Sequence, residues 1–238
     1  MQIRLFFAIL VSLVSGIAVA QTLPDNFVYL REIDPRIVQD MRYASANNFM
    51  GRPLAGYRAG ECILKRETAL ALKNIQDGLV AKNQTLIVFD CYRPKIAVND
   101  MVNWVNSGDE TNLRYYPKTS RAHLIELGYI SATSNHSRGY TVDLAIGPKR
   151  APWFTFGRHN VCGNRKDRRS FDFGTAFDCF DVAANTAHPN ISAHARRNRQ
   201  HLVEIMQNAG FRNLPEEWWH FTLNKQPQGA PMYEFEVR

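Results

Sequence analysis

The stretch SNHSRGYTVDLAI, residues 134–146, contains the pattern on which both the fold and the function of this chain depend. Apolar residues alternate with polar or small ones over residues 140–146, which predicts a β-strand with one apolar face. Asp143 falls on the opposite face of that strand, and His136 precedes it by seven residues. Gly139 lies between them and allows the chain to turn into the strand. The stretch therefore predicts a histidine and a carboxylate close to one strand.

Helices and strands are predicted on both sides of this strand. Apolar periodicity predicts helices over residues 65–82, 94–104 and 192–209, and further strands over residues 85–89 and 218–223. The predicted apolar stripes are Thr68, Leu72, Ile75 and Leu79 in the first helix, and Leu202, Ile205, Met206 and Ala209 in the last, which Ser192 caps. Residues 147–181 are predicted to form a long loop. Because helices and strands mix without regular βαβ alternation, the fold class is α+β.

The N-terminus predicts export. Residues 1–20 hold one charge, Arg4, then an apolar run over residues 5–14, and end in the small-x-small sequence Ala18-Val19-Ala20. This is typical of a cleaved signal peptide and too short for a membrane span. We expect the mature chain, residues 21–238, to be one domain with no integral membrane span, secreted and most consistent with the periplasm.

The charge balance does not indicate a nucleic-acid partner. The chain has a net charge of +7, or +6 once Arg4 leaves with the signal peptide. A basic chain can bind nucleic acid, but no recognition motif is present and an exported protein rarely meets nucleic acid. A solvated basic surface is the simpler interpretation.

The four cysteines, Cys62, Cys91, Cys162 and Cys179, are compatible with export because disulfides form in oxidising compartments. Four cysteines allow three pairings. The simplest joins Cys62 to Cys91 and Cys162 to Cys179, and free buried thiols are the alternative. The sequence has no C-x-x-C pair, which disfavours a thiolate zinc cluster or a thioredoxin-like site.

Three segments together predict a hydrolytic zinc site. They are residues 134–143, the sequence EWWH at residues 217–220, and DCYRP at residues 90–94. His136, Asp143 and His220 would supply three ligands and leave the fourth zinc position open. Glu217 would act as general base and acid, and Arg93 would stabilise the oxyanion on the scissile carbonyl.

One geometric objection accompanies this prediction. In a regular strand Glu217 and His220, three residues apart, would point to opposite faces. The segment must therefore begin irregularly, which Pro215 makes plausible.

The same segments resemble the D-alanyl-D-alanine dipeptidases of the vancomycin-resistance type. The resemblance rests on S-x-H-S-R-G-x-x-x-D and EWWH, and it extends along nearly the whole mature chain. Further matching segments are DMRYA at 40–44, NNFMGRP at 47–53, GY at 56–57, YRPKIAVN at 92–99, YYP at 115–117, GTAFD at 174–178 and NAGF at 208–211.

This resemblance implies an α+β zinc peptidase fold shared with D,D-carboxypeptidases and similar to the Hedgehog N-terminal domain, with a mixed, mostly antiparallel sheet and flanking helices. It implies hydrolysis of the small-molecule substrate D-Ala-D-Ala to two D-alanines by one zinc ion per chain. The implied roles agree with those above and add Tyr43, Ser134 and Asp178 as substrate contacts.

Two features depart from the resistance-type members, which are cytoplasmic. This chain carries an export signal, and its segment 147–173 is longer than expected, which puts the preferred substrate length in question. Export favours a role in peptidoglycan turnover. The alternatives are a D,D- or L,D-carboxypeptidase acting on longer wall peptides, and a non-catalytic zinc-containing module that binds peptidoglycan.

Overall fold

The alternating stretch around Asp143 forms the middle strand of a sheet in the computed structural model, which describes residues 23–150, Cys162, Asp167 and residues 169–238. The strands are β1 Phe27–Tyr29, β2 Val38–Gln39, β3 Ile63–Lys65, β4 Gln84–Asp90, β5 Thr111–Asn112, β6 Tyr116–Ser120, β7 Thr141–Pro148, β8 Phe211–Leu214 and β9 Glu217–Leu223. The α-helices are α1 Leu30–Ile33, α2 Arg66–Val80, α3 Lys95–Asn106 and α4 Ala193–Asn208. The predicted signal peptide lies outside the described residues.

The main sheet has the strand order β2-β4-β7-β9-β8. Strand β2 runs parallel to β4, and the other neighbouring pairs are antiparallel. Two small antiparallel ribbons, β1 with β3 and β5 with β6, lie outside this sheet. The predicted α+β class with a mixed, mostly antiparallel sheet is confirmed. Within the described part of the chain, no helix is long and apolar enough to cross a membrane.

The two long helices confirm most of the predicted stripes. All four predicted residues of α2 are buried, and this helix packs against β4. In α4, which packs against β8, Leu202 and Met206 are buried, whereas Ile205 and Ala209 are partly buried. Ser192 caps α4, since its Oγ accepts a hydrogen bond from the backbone N–H of Ala195 at 3.0 Å.

Strand β7 is more deeply buried than its alternation suggests. Every residue from Thr141 to Gly147 is buried, on both faces of the strand. The face that carries Asp143 is therefore internal, and a charged residue on an internal face needs specific partners.

Both disulfides of the simplest predicted pairing are present, Cys62–Cys91 and Cys162–Cys179. The first joins the residue before β3 to the residue after β4. The second joins two residues of the predicted long loop. Strand β7 includes the first two residues of that predicted loop, residues 147–148, and the rest of its described part contains no helix or strand.

Candidate active site

Three charged or ionisable residues lie in one row across the centre of the sheet. Asp143 in β7 is the direct neighbour of Asp90 in β4 and of His220 in β9. Residues directly opposite each other in an antiparallel pair project to the same face. The pairing therefore explains why Nδ1 of His220 lies 3.1 Å from Oδ1 of Asp143.

His136 reaches the same point from a 3-10 turn, Asn135–Arg138, just before β7. Ser134 caps this turn by accepting the backbone N–H of His136 at 3.3 Å. Gly139 ends it with a φ of 81°, and a side chain at that position would collide with the ring of Phe27. The prediction that Gly139 turns the chain into the strand is thus confirmed, and the turn brings the imidazole of His136 back over the sheet.

The proton on His136 is assigned by its outer partner. Its Nδ1 lies 2.8 Å from the carbonyl oxygen of Cys91, which can only accept a hydrogen bond. Nδ1 is therefore the protonated nitrogen, and Nε2 presents a lone pair to Asp143 and His220. Backbone partners of this kind orient metal-binding histidines.

His136, Asp143 and His220 form a group that fits a zinc ion. The ligand atoms are separated by 3.3 Å from His136 Nε2 to Asp143 Oδ1, 3.1 Å from Asp143 Oδ1 to His220 Nδ1, and 3.3 Å between the two ring nitrogens. Ligands at zinc–ligand distances of about 2.0–2.1 Å and tetrahedral angles lie about 3.3 Å apart. Among the described residues, buried Asp143 Oδ1 has no conventional hydrogen-bond partner. These three Lewis bases converge as a cation requires.

The Asp143 carboxyl is held in its ionised form. Burial opposes ionisation, but the neighbouring His136 and His220 outweigh it and hold the pKa of the Asp143 carboxyl well below its ordinary value. The carboxylate is therefore available as an anionic ligand at any physiological pH.

Glu217 lies beside this group. Its Oε2 is 3.4 Å from Nδ1 of His220, and its side chain is 22% exposed. The geometric objection from the sequence is answered by a bulge in the β8–β9 pair. Asn213 pairs with Phe221, whereas the next residue, Leu214, pairs with Glu217. Three residues of β9 therefore lie between the partners of two consecutive residues of β8. A bulge re-aims side chains, and here it lets Glu217 and His220 approach each other.

The amide of Asn213 holds this bulge. Its Nδ2 donates to the carbonyl oxygen of Glu217 at 3.1 Å and to that of His220 at 3.0 Å, while its Oδ1 accepts from Oγ1 of Thr186 at 2.7 Å. One side chain thus connects the backbone of both residues.

Arg93 lies on the other side of the group, held by a buried carboxylate. Its Nε and Nη2 each donate to Oδ2 of Asp90 at 2.9 Å, and Nη2 is 3.7 Å from Oδ2 of Asp143. The hydroxyl of Tyr57 donates to the other oxygen of Asp90 at 2.5 Å. Although burial alone favours the neutral form, Asp90 raises the pKa of Arg93 well above its ordinary value, so the guanidinium is a fixed positive charge.

Tyr43 and Asp178 form a second polar group facing the first. The hydroxyl of Tyr43 donates to Oδ1 of Asp178 at 3.0 Å, and the guanidinium carbon of Arg93 lies 5.0 Å from the centre of the Tyr43 ring. Within the described part of the chain, Oδ2 of Asp178 is buried without a partner. Burial, reinforced by the Asp143 carboxylate, raises the pKa of Asp178, so a cationic group beside it would be stabilising.

One cavity of about 220 Å³ connects these groups. It is lined by all eight residues for which the sequence predicts a catalytic, metal-binding or substrate-binding role: Tyr43, Arg93, Ser134, His136, Asp143, Asp178, Glu217 and His220. Pockets for drug-sized ligands have volumes of roughly 300–1,000 Å³, so this cavity suits a smaller molecule.

Comparison with known proteins gives the family. A sequence model of the peptidase family described as D-ala-D-ala dipeptidase matches residues 24–151 and 163–238. The chain belongs to the D-alanyl-D-alanine dipeptidase family. Curated members include D-alanyl-D-alanine dipeptidases of Enterococcus faecalis, with 32% identity over 90% of this chain and 98% of the relative, and of Streptomyces coelicolor, with 29% identity over 89% and 98%. The Escherichia coli dipeptidase is 29% identical over 86% of each chain.

The match to this dipeptidase family confirms the resemblance seen in the sequence and the assignment to a peptidase. It leaves residues 152–162 unmatched, inside the segment predicted to be longer than in other members. Cys162 is the last residue of that unmatched stretch.

Two residues that hold side chains of this candidate site were not predicted. Asp90 directly follows the predicted strand 85–89, and its place at the end of a buried strand beside Arg93 was a usable signal. Asn213 carried no such signal, because its importance depends on a bulge in a hairpin whose register the sequence does not specify.

Proposed function

We propose that this chain is an exported zinc dipeptidase that hydrolyses D-Ala-D-Ala to two D-alanines during peptidoglycan turnover. The observation that carries the proposal is one small cavity lined by a zinc-compatible group, the Glu217 carboxylate, the fixed guanidinium of Arg93 and the buried Tyr43–Asp178 pair. The names of the relatives support the substrate.

His136, Asp143 and His220 would hold the zinc ion. When bound, zinc supplies Lewis-acid activation of the hydrolytic reaction. The chain contributes fixed ligand geometry, because two ligands occupy neighbouring positions in the sheet and the third is oriented by the carbonyl of Cys91.

Glu217 would move the proton. It accepts a proton from the attacking water as the new carbon–oxygen bond forms, and it returns that proton to the amide nitrogen as the carbon–nitrogen bond breaks. General acid–base catalysis of this kind contributes about 10²–10⁴-fold. The partial exposure of Glu217 leaves its carboxylate accessible from the cavity.

Arg93 would stabilise the negative charge that develops on the carbonyl oxygen of the scissile bond. Its guanidinium is held by Asp90 before substrate arrives, and preorganised charge is effective because it needs no rearrangement during the reaction. At the other end of the cavity, Asp178 would bind the substrate's ammonium group, and Tyr43 and Ser134 would supply hydrogen bonds.

Cavity size favours a dipeptide over a longer wall peptide. A pocket of about 220 Å³ with the buried carboxylate of Asp178 in its lining suits a ligand with a free amino group close to the scissile bond. A carboxypeptidase would instead need room for the chain that continues beyond that amino group.

Export would place the enzyme where peptidoglycan fragments are released. The two disulfides support an oxidising compartment. We expect the protein in the periplasmic fraction, beginning at Gln21. Mature protein confined to the cytoplasm would contradict this part of the proposal.

The decisive experiment measures D-alanine release from D-Ala-D-Ala by the mature chain, zinc-loaded, then chelated, then reloaded. We expect activity that disappears on chelation and returns with zinc. Glu217→Ala should keep about one zinc per chain and lose turnover by about 10²–10⁴-fold, because it removes proton transfer and no metal ligand.

Glu216→Ala is the matched control, since this exposed neighbour carries the same carboxylate and is not one of the residues that line the cavity. It should keep wild-type turnover. Bound zinc with release from a pentapeptide stem but none from the dipeptide would indicate a carboxypeptidase, and absence of both zinc and hydrolysis would indicate a binding module.

A further inference from the structure

Asp178 has an uncommon backbone conformation. Its φ is 62°, in the left-handed region that non-glycine residues rarely adopt, and its side chain is buried. Such a conformation persists only where the surrounding structure enforces it. The residues on either side of Asp178 show what enforces it.

The residue before Asp178 is tied to Asp167. The backbone N–H of Phe177 donates to Oδ2 of Asp167 at 2.8 Å, and Oδ1 of Asp167 accepts from Nη2 of Arg42 at 2.8 Å. Asp167 is only 6% exposed. A buried carboxylate with both oxygens bonded is a strong connection, because it combines charge-assisted bonds with low solvent access.

The same carboxylate also binds the residue next to Tyr43, the hydrogen-bond partner of Asp178. Arg42 directly precedes Tyr43 in the 3-10 turn Arg42–Ala44. Asp167 therefore connects the side chain of the residue before Tyr43 with the backbone N–H of the residue before Asp178. Tyr43 and Asp178 are the two residues whose side chains share the 3.0 Å hydrogen bond in the cavity.

The residue after Asp178 is tied by the disulfide. Cys179 is bonded to Cys162, and Sγ of Cys162 lies 3.2 Å from the carbonyl oxygen of Tyr115. That carbonyl also accepts the backbone N–H of Phe180 at 2.8 Å. Asp178 thus lies between two attachment points, a hydrogen bond to the Asp167 carboxylate and a covalent disulfide.

We propose that Asp167 and the Cys162–Cys179 bridge are specificity-determining positioning elements that hold Asp178 where it selects substrates with a free amino group. This inference rests on the proposed function. Neither element touches the zinc-compatible group, so both act on substrate binding through Asp178 and Tyr43. Cys162 lies in the stretch that the family model does not match. Its bridge to Cys179 would therefore give this chain its own way of positioning Asp178.

The test compares steady-state kinetics of the purified zinc-loaded protein on D-Ala-D-Ala and on N-acetyl-D-Ala-D-Ala. Asp167→Asn, and separately the pair Cys162→Ser with Cys179→Ser, should raise KM for the free dipeptide about tenfold, as expected for weakening one charge-assisted contact, and leave kcat within about threefold. Discrimination against the acetylated substrate should fall in both variants.

Asp34→Asn is the matched control. Asp34 is also a buried carboxylate that binds an arginine, Arg36, and a backbone N–H, but it lies outside the cavity. It should change the melting temperature without changing KM or discrimination. If Asp167→Asn lowers the melting temperature more than this control does, the KM of the variant with both Cys162→Ser and Cys179→Ser is used to test the inference.

A double-mutant cycle on KM distinguishes positioning of Asp178 from a general effect of Asp167 on stability. In an Asp178→Asn background, Asp167→Asn should have little further effect on KM, because the group that it positions is already neutral. Unchanged KM in both variants with zinc retained, or independent effects in the cycle, would overturn the inference alone. Lack of dipeptide hydrolysis by the wild-type protein would overturn the proposed function and the inference with it.

Discussion

The two ends of the cavity are built in different ways. At the zinc-compatible end, Asp143 and His220 are neighbours in a sheet, and strand pairing itself fixes their separation. At the loop end, Tyr43 and Asp178 come from a short turn and a loop, 135 residues apart in sequence, and depend on one hydrogen bond and two attachments outside the cavity.

From this difference we infer different tasks for the two ends. Chemistry requires groups at fixed distances, which a regular sheet provides, whereas substrate selection can change when a loop changes. If the division holds, variants at the sheet end lower kcat and variants at the loop end raise KM.

The largest expected effect comes from breaking the sheet end. His136→Ala removes one of three ligands, so we expect loss of bound zinc together with all measurable hydrolysis. Metal analysis and the D-alanine assay check both. His123→Ala is the control, because this histidine bonds to Ser120 on the surface, and it should retain zinc and activity. Full activity in metal-free His136→Ala would refute the ligand assignment.

The sheet end was also the more predictable from sequence. The alternation around Asp143 and the turn at Gly139 are local patterns, and the strand and the turn that they predict are confirmed, although both faces of the strand are buried. Local patterns could not show that Asp178 adopts a left-handed conformation or that its hydroxyl partner is Tyr43, because those features depend on contacts between distant segments.

The burial of a long charged side chain, Arg199, was also not predictable from sequence. Arg199 lies on the last predicted helix, where its charge indicates exposure, yet it is 1% exposed and donates to the carbonyls of Phe173, Ala183 and Asn185. Burial lowers its pKa to about 10. Burial of Arg199 is favourable because its guanidinium supplies hydrogen bonds that these backbone carbonyls need. Sequence periodicity cannot predict such partners.

A smaller effect tests whether strand pairing alone is sufficient at the sheet end. Asn213→Ala removes both donors that hold the carbonyls of Glu217 and His220, so the bulge should loosen. We expect kcat to fall about tenfold and stability to fall by about 1–2 kcal/mol, with zinc retained. Kinetics and thermal unfolding measure the two effects.

Arg212→Ala is the matched control for this variant. Arg212 is the neighbour of Asn213 in β8, but it bonds to the carbonyl of Leu223 at the far end of β9. It should leave kcat unchanged. Equal losses of kcat in both variants would mean that general strand stability, and not the position of Glu217, limits turnover.

The smallest expected effect belongs to the loop end. Tyr43→Phe removes the hydroxyl that donates to Asp178 and keeps the ring that packs on Phe49 and below Arg93. One neutral hydrogen-bond donor is worth about 1 kcal/mol, so KM for D-Ala-D-Ala should rise about fivefold while kcat stays constant. Tyr116→Phe, at a buried tyrosine outside the cavity, should leave both parameters unchanged. A fall in kcat with constant KM in Tyr43→Phe would contradict the division of tasks, because it would show that the tyrosine hydroxyl acts in the transition state and not in holding the substrate's amino group.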